Sequence, residues 1–238
     1  MAISSLTQEP VAYVRTLVEA IPREEITTTP SISTVITSPS AQEKDLQQQL
    51  EALEIVQAHM ADPEHWKRHT VYSLVTDDYR IHHLTAGTLR GDDKLGIPPA
   101  LFQSIDESQV LSVLHVGRSL CGHPNIVHGG LLATLLDEIT AKTAIPNLPG
   151  KTGFTANLNV NYRHPCIADQ FVVVHSELTS VEGRKAFVKA TLKTIQGTLL
   201  ADATALFIAP KIPVAQITEQ LSQAKIVTKS AGHGQQQV

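Results

Sequence analysis

Gly129-Gly130 and Asp137 form the clearest chemical pattern in this sequence. They lie in the stretch from Gly122 to Thr143, which opens on turn residues and becomes a helix at Gly129. Leu132, Leu135, Leu136 and Ile139 recur at helical spacing. Leu131 and Ala133 widen the apolar surface, so the helix is expected to be buried on most sides. Glycines at its start bare unpaired N–H groups at the positive end of the dipole, where negative charge is stabilised. Asp137 follows about two turns on, among leucines. A carboxylate in that setting is paired, solvated or functional, because burying an unpaired charge is costly. Glu138 is a second carboxylate, but it projects about 100° away from Asp137 around the helix. The two are not expected to share one site.

This helix needs a sheet to lie on, and the sequence after it supplies one. Phe154 to Tyr162 alternates strictly, with Phe154, Ala156, Leu158, Val160 and Tyr162 on one face. Thr155, Asn157, Asn159 and Asn161 fall on the other, the pattern of a half-buried strand. Phe171 to Leu178 and Lys185 to Ile195 are further strands, joined by a turn at Glu182-Gly183. Leu199 to Ile208 is the last, after a turn at Gln196-Gly197. Before the helix, Leu101–Ile105 and Val110–Val116 form a hairpin about Asp106, Glu107 and Ser108. The expected class is therefore α+β: a strand pair, a long apolar helix, then a meander of antiparallel strands packed on it.

Four segments are expected. Residues 1–40 read as an irregular arm rich in Thr, Ser and Pro. Residues 41–78 read as a helical extension, with Leu46, Leu50, Leu53 and Val56 on one stripe and a short helix containing Trp66 opened by Pro63. Residues 79–210 carry the main domain, beginning with an extended segment over Tyr79–Leu89. Residues 211–238 read as a flexible tail.

The chain has 238 residues, 42% of them hydrophobic, enough for a sizeable core, and a net charge of −4. With no long basic run, nothing favours a nucleic-acid partner. No apolar run reaches the ~18 residues of a membrane helix. Cys121 and Cys166 have no metal or redox spacing and are expected as free thiols in a reducing compartment. His65 and His69 share a helical spacing but lack a third ligand, so no metal is expected. The first residues lack the basic start and apolar block of a secretory signal. Arg15 and Arg23 flank a weakly amphipathic patch, whereas Glu9, Glu19, Glu24 and Glu25 oppose a mitochondrial presequence. The expected location is intracellular, cytoplasmic or mitochondrial.

The set His128, Gly129, Gly130, Leu135 and Asp137, followed by alternating strands, resembles the motif of the HotDog-fold thioesterases. The branch includes the phenylacetyl-CoA thioesterases and the mammalian thioesterase superfamily proteins. The resemblance spans roughly residues 80–209. It implies a sheet wrapped around the central helix and hydrolysis of an acyl-CoA or acyl-carrier thioester by a homodimer or dimer of dimers, with no cofactor. The Gly129 N–H would polarise the thioester carbonyl. Asp137 would act as general base or nucleophile. Thr155 matches the hydroxyl residue that holds the attacking water, which the resemblance brings from the neighbouring subunit. His128 would orient the turn or the substrate, with Gly130 beside it. Relatives carry Asn or Gln about six residues before the motif histidine; this chain has Gly122 there, and Asn125 is the expected substitute. Asn157 is expected at the dimer seam or the substrate, and Arg184 and Lys185 near the CoA phosphates.

Two other functions stay open on the sequence. Gly122-His123-Pro124 faintly echoes the histidine loop of acyl-carrier dehydratases. A non-catalytic acyl-CoA-binding protein would use the N-terminal helix as its interaction part.

Overall fold

The computed structural model describes residues 39–72, 75–212 and 216, within one compact unit, Ser38–Val238. The arm expected over 1–40 and the tail expected over 211–238 lie almost wholly outside the described residues.

Helix α1 (Ala41–Ala52) starts at Ser40, whose hydroxyl accepts the Glu43 N–H. Leu53 breaks the run in extended backbone, and α2 (Glu54–Met60) follows. The short helix expected around Trp66 is instead strand β1 (Trp66–His69), paired with β2. Packing overrides local preference here: the Trp66 ring sits edge-on to His59 and against a buried cluster. The extended segment expected over Tyr79–Leu89 is also different. It forms a short helix α3 (Asp77–Arg80) and a single π-turn (Leu84–Thr88). The His83 ring accepts the Ala86 N–H to start that turn. Gly87 permits it, because a Cβ there would lie 1.9 Å from the Arg80 carbonyl oxygen.

Strands β2 (Ala100–Ser104) and β3 (Gln109–Val116) form the expected hairpin. A small hairpin, β4 (Cys121–His123) and β5 (Ile126–Val127), leads into the long helix α4 (Gly129–Ala144). Then come β6 (Phe154–Tyr162), β7 (Gln170–Glu182), β8 (Lys185–Thr194) and β9 (Leu199–Ile208). The main sheet has the order β1-β2-β3-β7-β8-β9-β6, antiparallel at every pairing. It wraps α4, the HotDog arrangement.

The sheet is covered on both faces at β2, β3 and β7. On the inner face, Leu132, Leu136 and Ile139 of α4 pack against Val110, Val172 and Leu192. On the outer face, Leu46, Leu50 and Val56 of α1 and α2 pack against Phe102, Val113 and Phe171. Burial on both faces explains why β3 is apolar without alternation. It also settles what α1 does: it closes the back of the sheet. Leu136 is fully buried, so truncating it to alanine costs about 2–5 kcal/mol.

The alternation expected in β6 is interrupted. Thr155 pairs with Phe207 and Asn157 with Leu206, so Ala156 is the extra residue of a bulge. A bulge shifts the side-chain phase by one residue. Leu158 and Val160 face α4 together with Ala203 and Ala205, and Thr155, opposite buried Phe207, faces the same way. β6 is an edge strand and largely exposed rather than half-buried, with Phe154 at 52% and Tyr162 at 56% exposure.

Candidate active site

The site is built where α4 runs alongside β6. His128 caps the helix in extended backbone, and its Nδ1 accepts the Gly130 N–H at 2.9 Å. The His128 carbonyl accepts the Leu131 and Leu132 N–H groups. The Gly129 amide has no acceptor among the described residues, so it remains free for an incoming oxygen. Gly130 and Gly122 both accommodate the imidazole. A Cβ at Gly130 would lie 2.9 Å from the His128 ring, and one at Gly122 would lie 2.8 Å from it. Gly122 therefore leaves no room for the Asn or Gln that the resemblance implies at that position. Asn125 is exposed in the β4–β5 turn with φ 59°, and its carbonyl accepts the Ala168 N–H.

Asp137 lies half-exposed on the side of α4 that faces β6. Thr155 Oγ1 donates to its Oδ1 at 2.9 Å. The bulge at Ala156 is what turns the Thr155 hydroxyl toward the helix. Among the described residues Asp137 makes no ion pair. The far end of β6 touches the helix start: Tyr162 Oη donates to the Gly129 carbonyl at 2.9 Å. One strand thus contacts both chemical ends of α4. Tyr162 carries no local signal for this contact beyond being an aromatic at a strand end.

The remaining expected residues divide. Thr155 and Asp137 meet within one chain. Asn157, in the phase after the bulge, faces away from the helix, as does Asn161, whose amide bonds Asp202. Neither lies on the side of Asp137. Glu138 faces elsewhere too, accepting the Tyr72 hydroxyl at 3.0 Å. Burial, with the Glu138 carboxylate beside it, pushes the Tyr72 phenol well above its ordinary range. Arg184 and Lys185 occupy the exposed β7–β8 turn, and Arg184 donates to the Ala209 carbonyl. Lys185 pairs with Ile208, which pairs with Phe154. The basic turn therefore lies about 10 Å, two strand spacings, from the Thr155 end of β6. His123 is exposed on β4. No cluster of metal ligands exists among the described residues.

Gly129 and Asp137 do not converge inside one chain. Eight residues of helix separate them by about 12 Å and 80°. A carbonyl in reach of one is out of reach of the other.

Residues 124–201 match the family model described as the thioesterase superfamily. Acyl-coenzyme A thioesterase THEM4 of Mus musculus is 41% identical over 118 residues, 49% of this chain and 50% of the mouse protein. The protein of that name from Bos taurus is 30% identical over 148 residues, 62% of this chain and 60% of the relative. A protein of Candida albicans named only as uncharacterized and mitochondrial is 27% identical over 141 residues, covering 57% and 63% of the two chains. This chain thus spans about half to three-fifths of the length of these relatives.

Proposed function

We propose that this chain hydrolyses acyl-CoA thioesters, with Asp137 as general base. The observation that carries this is the Thr155–Asp137 hydrogen bond of 2.9 Å, on the same helix as a bared Gly129 amide. Asp137 takes a proton from water as its oxygen attacks the thioester carbon. The carbonyl oxygen gains negative charge against the Gly129 N–H and the helix dipole. The C–S bond then breaks, and the sulfur leaves as the CoA thiol, taking the proton that Asp137 removed from the water. Thr155 fixes the carboxylate and, through its oxygen, the water.

The ~12 Å between Gly129 and Asp137 requires two protomers. In a two-fold dimer, the helix start of one subunit meets Asp137 and Thr155 of the other, twice. The exposed edge of β6, with Phe154 and Tyr162, is the surface that supports such pairing. An unpaired strand edge is a ready template for another strand. Arg184 and Lys185, at the same end of the sheet as Thr155, suit the phosphates of CoA. His128 positions the Gly129 amide rather than touching substrate. The similarity to the THEM4 thioesterases and the mitochondrial name of the Candida relative support acyl-CoA as substrate and a mitochondrial location. No helix among the described residues is long and apolar enough to cross a membrane.

The test is CoA release from acetyl-, butanoyl-, dodecanoyl- and phenylacetyl-CoA by wild type and Asp137→Ala. Turnover abolished by the substitution supports the assignment. Tight binding of acyl-CoA without turnover, unchanged in Asp137→Asn, would instead make this a non-catalytic binder.

A further inference from the structure

Glycine is the poorest helix former after proline, yet α4 begins with two of them. Gly129 and Gly130 leave the helix start open to an incoming oxygen, and they also leave the first turn free to unwind. Side chains hold that turn in place. The peptide joining Gly129 to Gly130 has two polar atoms, and each has a side-chain partner. Its N–H, on Gly130, donates to His128 Nδ1 at 2.9 Å. Its carbonyl, on Gly129, accepts from Tyr162 Oη at 2.9 Å. In a trans peptide these two atoms point to opposite sides, so the plane is gripped from both.

The two sides of this grip come from different parts of the chain. His128 is the cap of the helix itself. Tyr162 is the last residue of β6, 33 residues beyond Gly129. Its ring also packs over Gly129: a Cβ there would lie 3.4 Å from Cε1 and Cζ and 3.5 Å from Oη. Glycine at 129 therefore does two things. It keeps the amide uncovered, and it lets the tyrosine come close enough to bond the carbonyl. Thr134 adds a third hold one residue on, its hydroxyl donating to the Gly130 carbonyl at 2.9 Å.

Gripping this peptide matters because of the one before it. The Gly129 N–H shares a plane with the His128 carbonyl, which accepts the Leu131 N–H at 2.9 Å and the Leu132 N–H at 3.3 Å. Those bonds hold only while Gly129 and Gly130 keep helical backbone. If the Gly129–Gly130 plane turns, Leu131 and Leu132 leave the His128 carbonyl, and the Gly129 N–H swings away with it. A donor stabilises an oxyanion best when it is aimed beforehand at the place where charge develops.

We infer that Tyr162 is a positioning residue for thioester hydrolysis: its hydroxyl, acting opposite His128 Nδ1, fixes the Gly129–Gly130 peptide so that the Gly129 N–H stays aimed at the substrate's carbonyl oxygen. The inference rests on the thioesterase function proposed above and adds to it the residue that aims the oxyanion donor. Tyr162 acts through the backbone, not on the reacting bond. β6 then serves each end of α4 with a different hydroxyl, Thr155 on the base and Tyr162 on the donor.

The experiment compares the full chain with its Tyr162→Phe variant, which keeps the ring over Gly129 and on the strand edge and removes only the hydroxyl. Steady-state kinetics on dodecanoyl-CoA give kcat and KM, and NMR gives amide hydrogen exchange along α4. In the variant kcat is expected to fall about three- to tenfold, the worth of one neutral hydrogen bond, with KM unchanged. Exchange at Gly130, Leu131 and Leu132 is expected to quicken by a similar factor, while Leu135, Leu136 and Ile139 exchange as in wild type. A tyrosine that served only stability or subunit pairing would leave kcat of the folded dimer alone. An unchanged kcat in a folded, dimeric variant therefore overturns the inference and leaves the thioesterase function standing. A fall in kcat without faster exchange also overturns it, because the hydroxyl would then act on the substrate itself. If wild type turns over no thioester, that function fails instead. Exchange then decides the grip alone: faster exchange in the first turn supports it, and equal exchange overturns it.

Discussion

The Thr155 hydroxyl donates to the Asp137 carboxylate at 2.9 Å across 18 residues of chain. The contact depends on one bulge, at Ala156, which rotates Thr155 from the outer face of β6 onto the helix side. A hydrogen bond to a charged group is worth about 1.5–3 kcal/mol. Thr155→Ala is expected to lower kcat on acyl-CoA about 10- to 100-fold with little change in KM. Thr155→Ser, which keeps the hydroxyl, should restore most of that loss. Steady-state kinetics on the three proteins check it; equal kcat in Thr155→Ala would remove the residue from the mechanism.

A site shared between protomers predicts complementation. Asp137→Ala removes the base, and Gly129→Val crowds the Tyr162 ring, which a Cβ at Gly129 already approaches to 3.4 Å. Each variant alone should be inactive. Mixed after joint refolding, random pairing of two-fold dimers should recover about a quarter of wild-type activity. No recovery from mixtures that do contain heterodimers would contradict the two-protomer site.

His115 supplies a pH test of stability. It is 4% exposed at the end of β3, 3.4 Å from the Asp169 carboxylate, which Arg118 also contacts. Burial lowers its pKa below the usual 6.5, and the nearby Asp169 and Asp93 oppose that shift without cancelling it. The folded state holds the ring neutral while the unfolded chain takes up a proton. Its contribution is therefore present above about pH 6.5 and is lost as pH falls through the lower folded value. His175 on β7 shifts the same way, also through burial first. The melting temperature is expected to drop between pH 7 and pH 5, less steeply in His115→Asn. Identical slopes in thermal melts of the two proteins would exclude His115 as a source.

The two cysteines should separate by reactivity. Cys166 is 1% exposed, and burial, with Cys121 nearby, pushes its thiol up to about 11. The thiolate is the reactive form, so Cys166 should resist iodoacetamide at pH 8 until the chain unfolds. Half-buried Cys121 should be labelled first. Mass spectrometry of the native protein reads this directly; labelling at Cys166 before Cys121 would contradict the packing of β5 against the segment at Cys166.

Much of the fold was legible in the sequence because its signals are local. The apolar spacing of α4 and the alternation of β8 fixed those elements, and Ala186, Val188, Ala190 and Leu192 are buried as their spacing implied. Where the reading failed, distant contacts decided. Trp66 became a strand residue because β2 offered an edge to pair with. Leu84–Thr88 became a π-turn because Gly87 admits the Arg80 carbonyl. The same held at the site. Asp137, Gly129 and Thr155 could be picked out by type, but strict alternation put Thr155 on the wrong face and Asn157 beside it. A one-residue bulge carries no composition signal, and Tyr162 on the Gly129 carbonyl is a long-range contact that no local pattern encodes.

The most direct test of the proposed mechanism is the rate of CoA release from dodecanoyl-CoA by wild type and Asp137→Asn, in protein whose folding and dimerisation are verified. General-base catalysis contributes about 10²–10⁴-fold, so a loss of at least a hundredfold is expected in the variant, with KM nearly unchanged. A variant as fast as wild type would show that Asp137 does not activate the water and would contradict the mechanism at its centre.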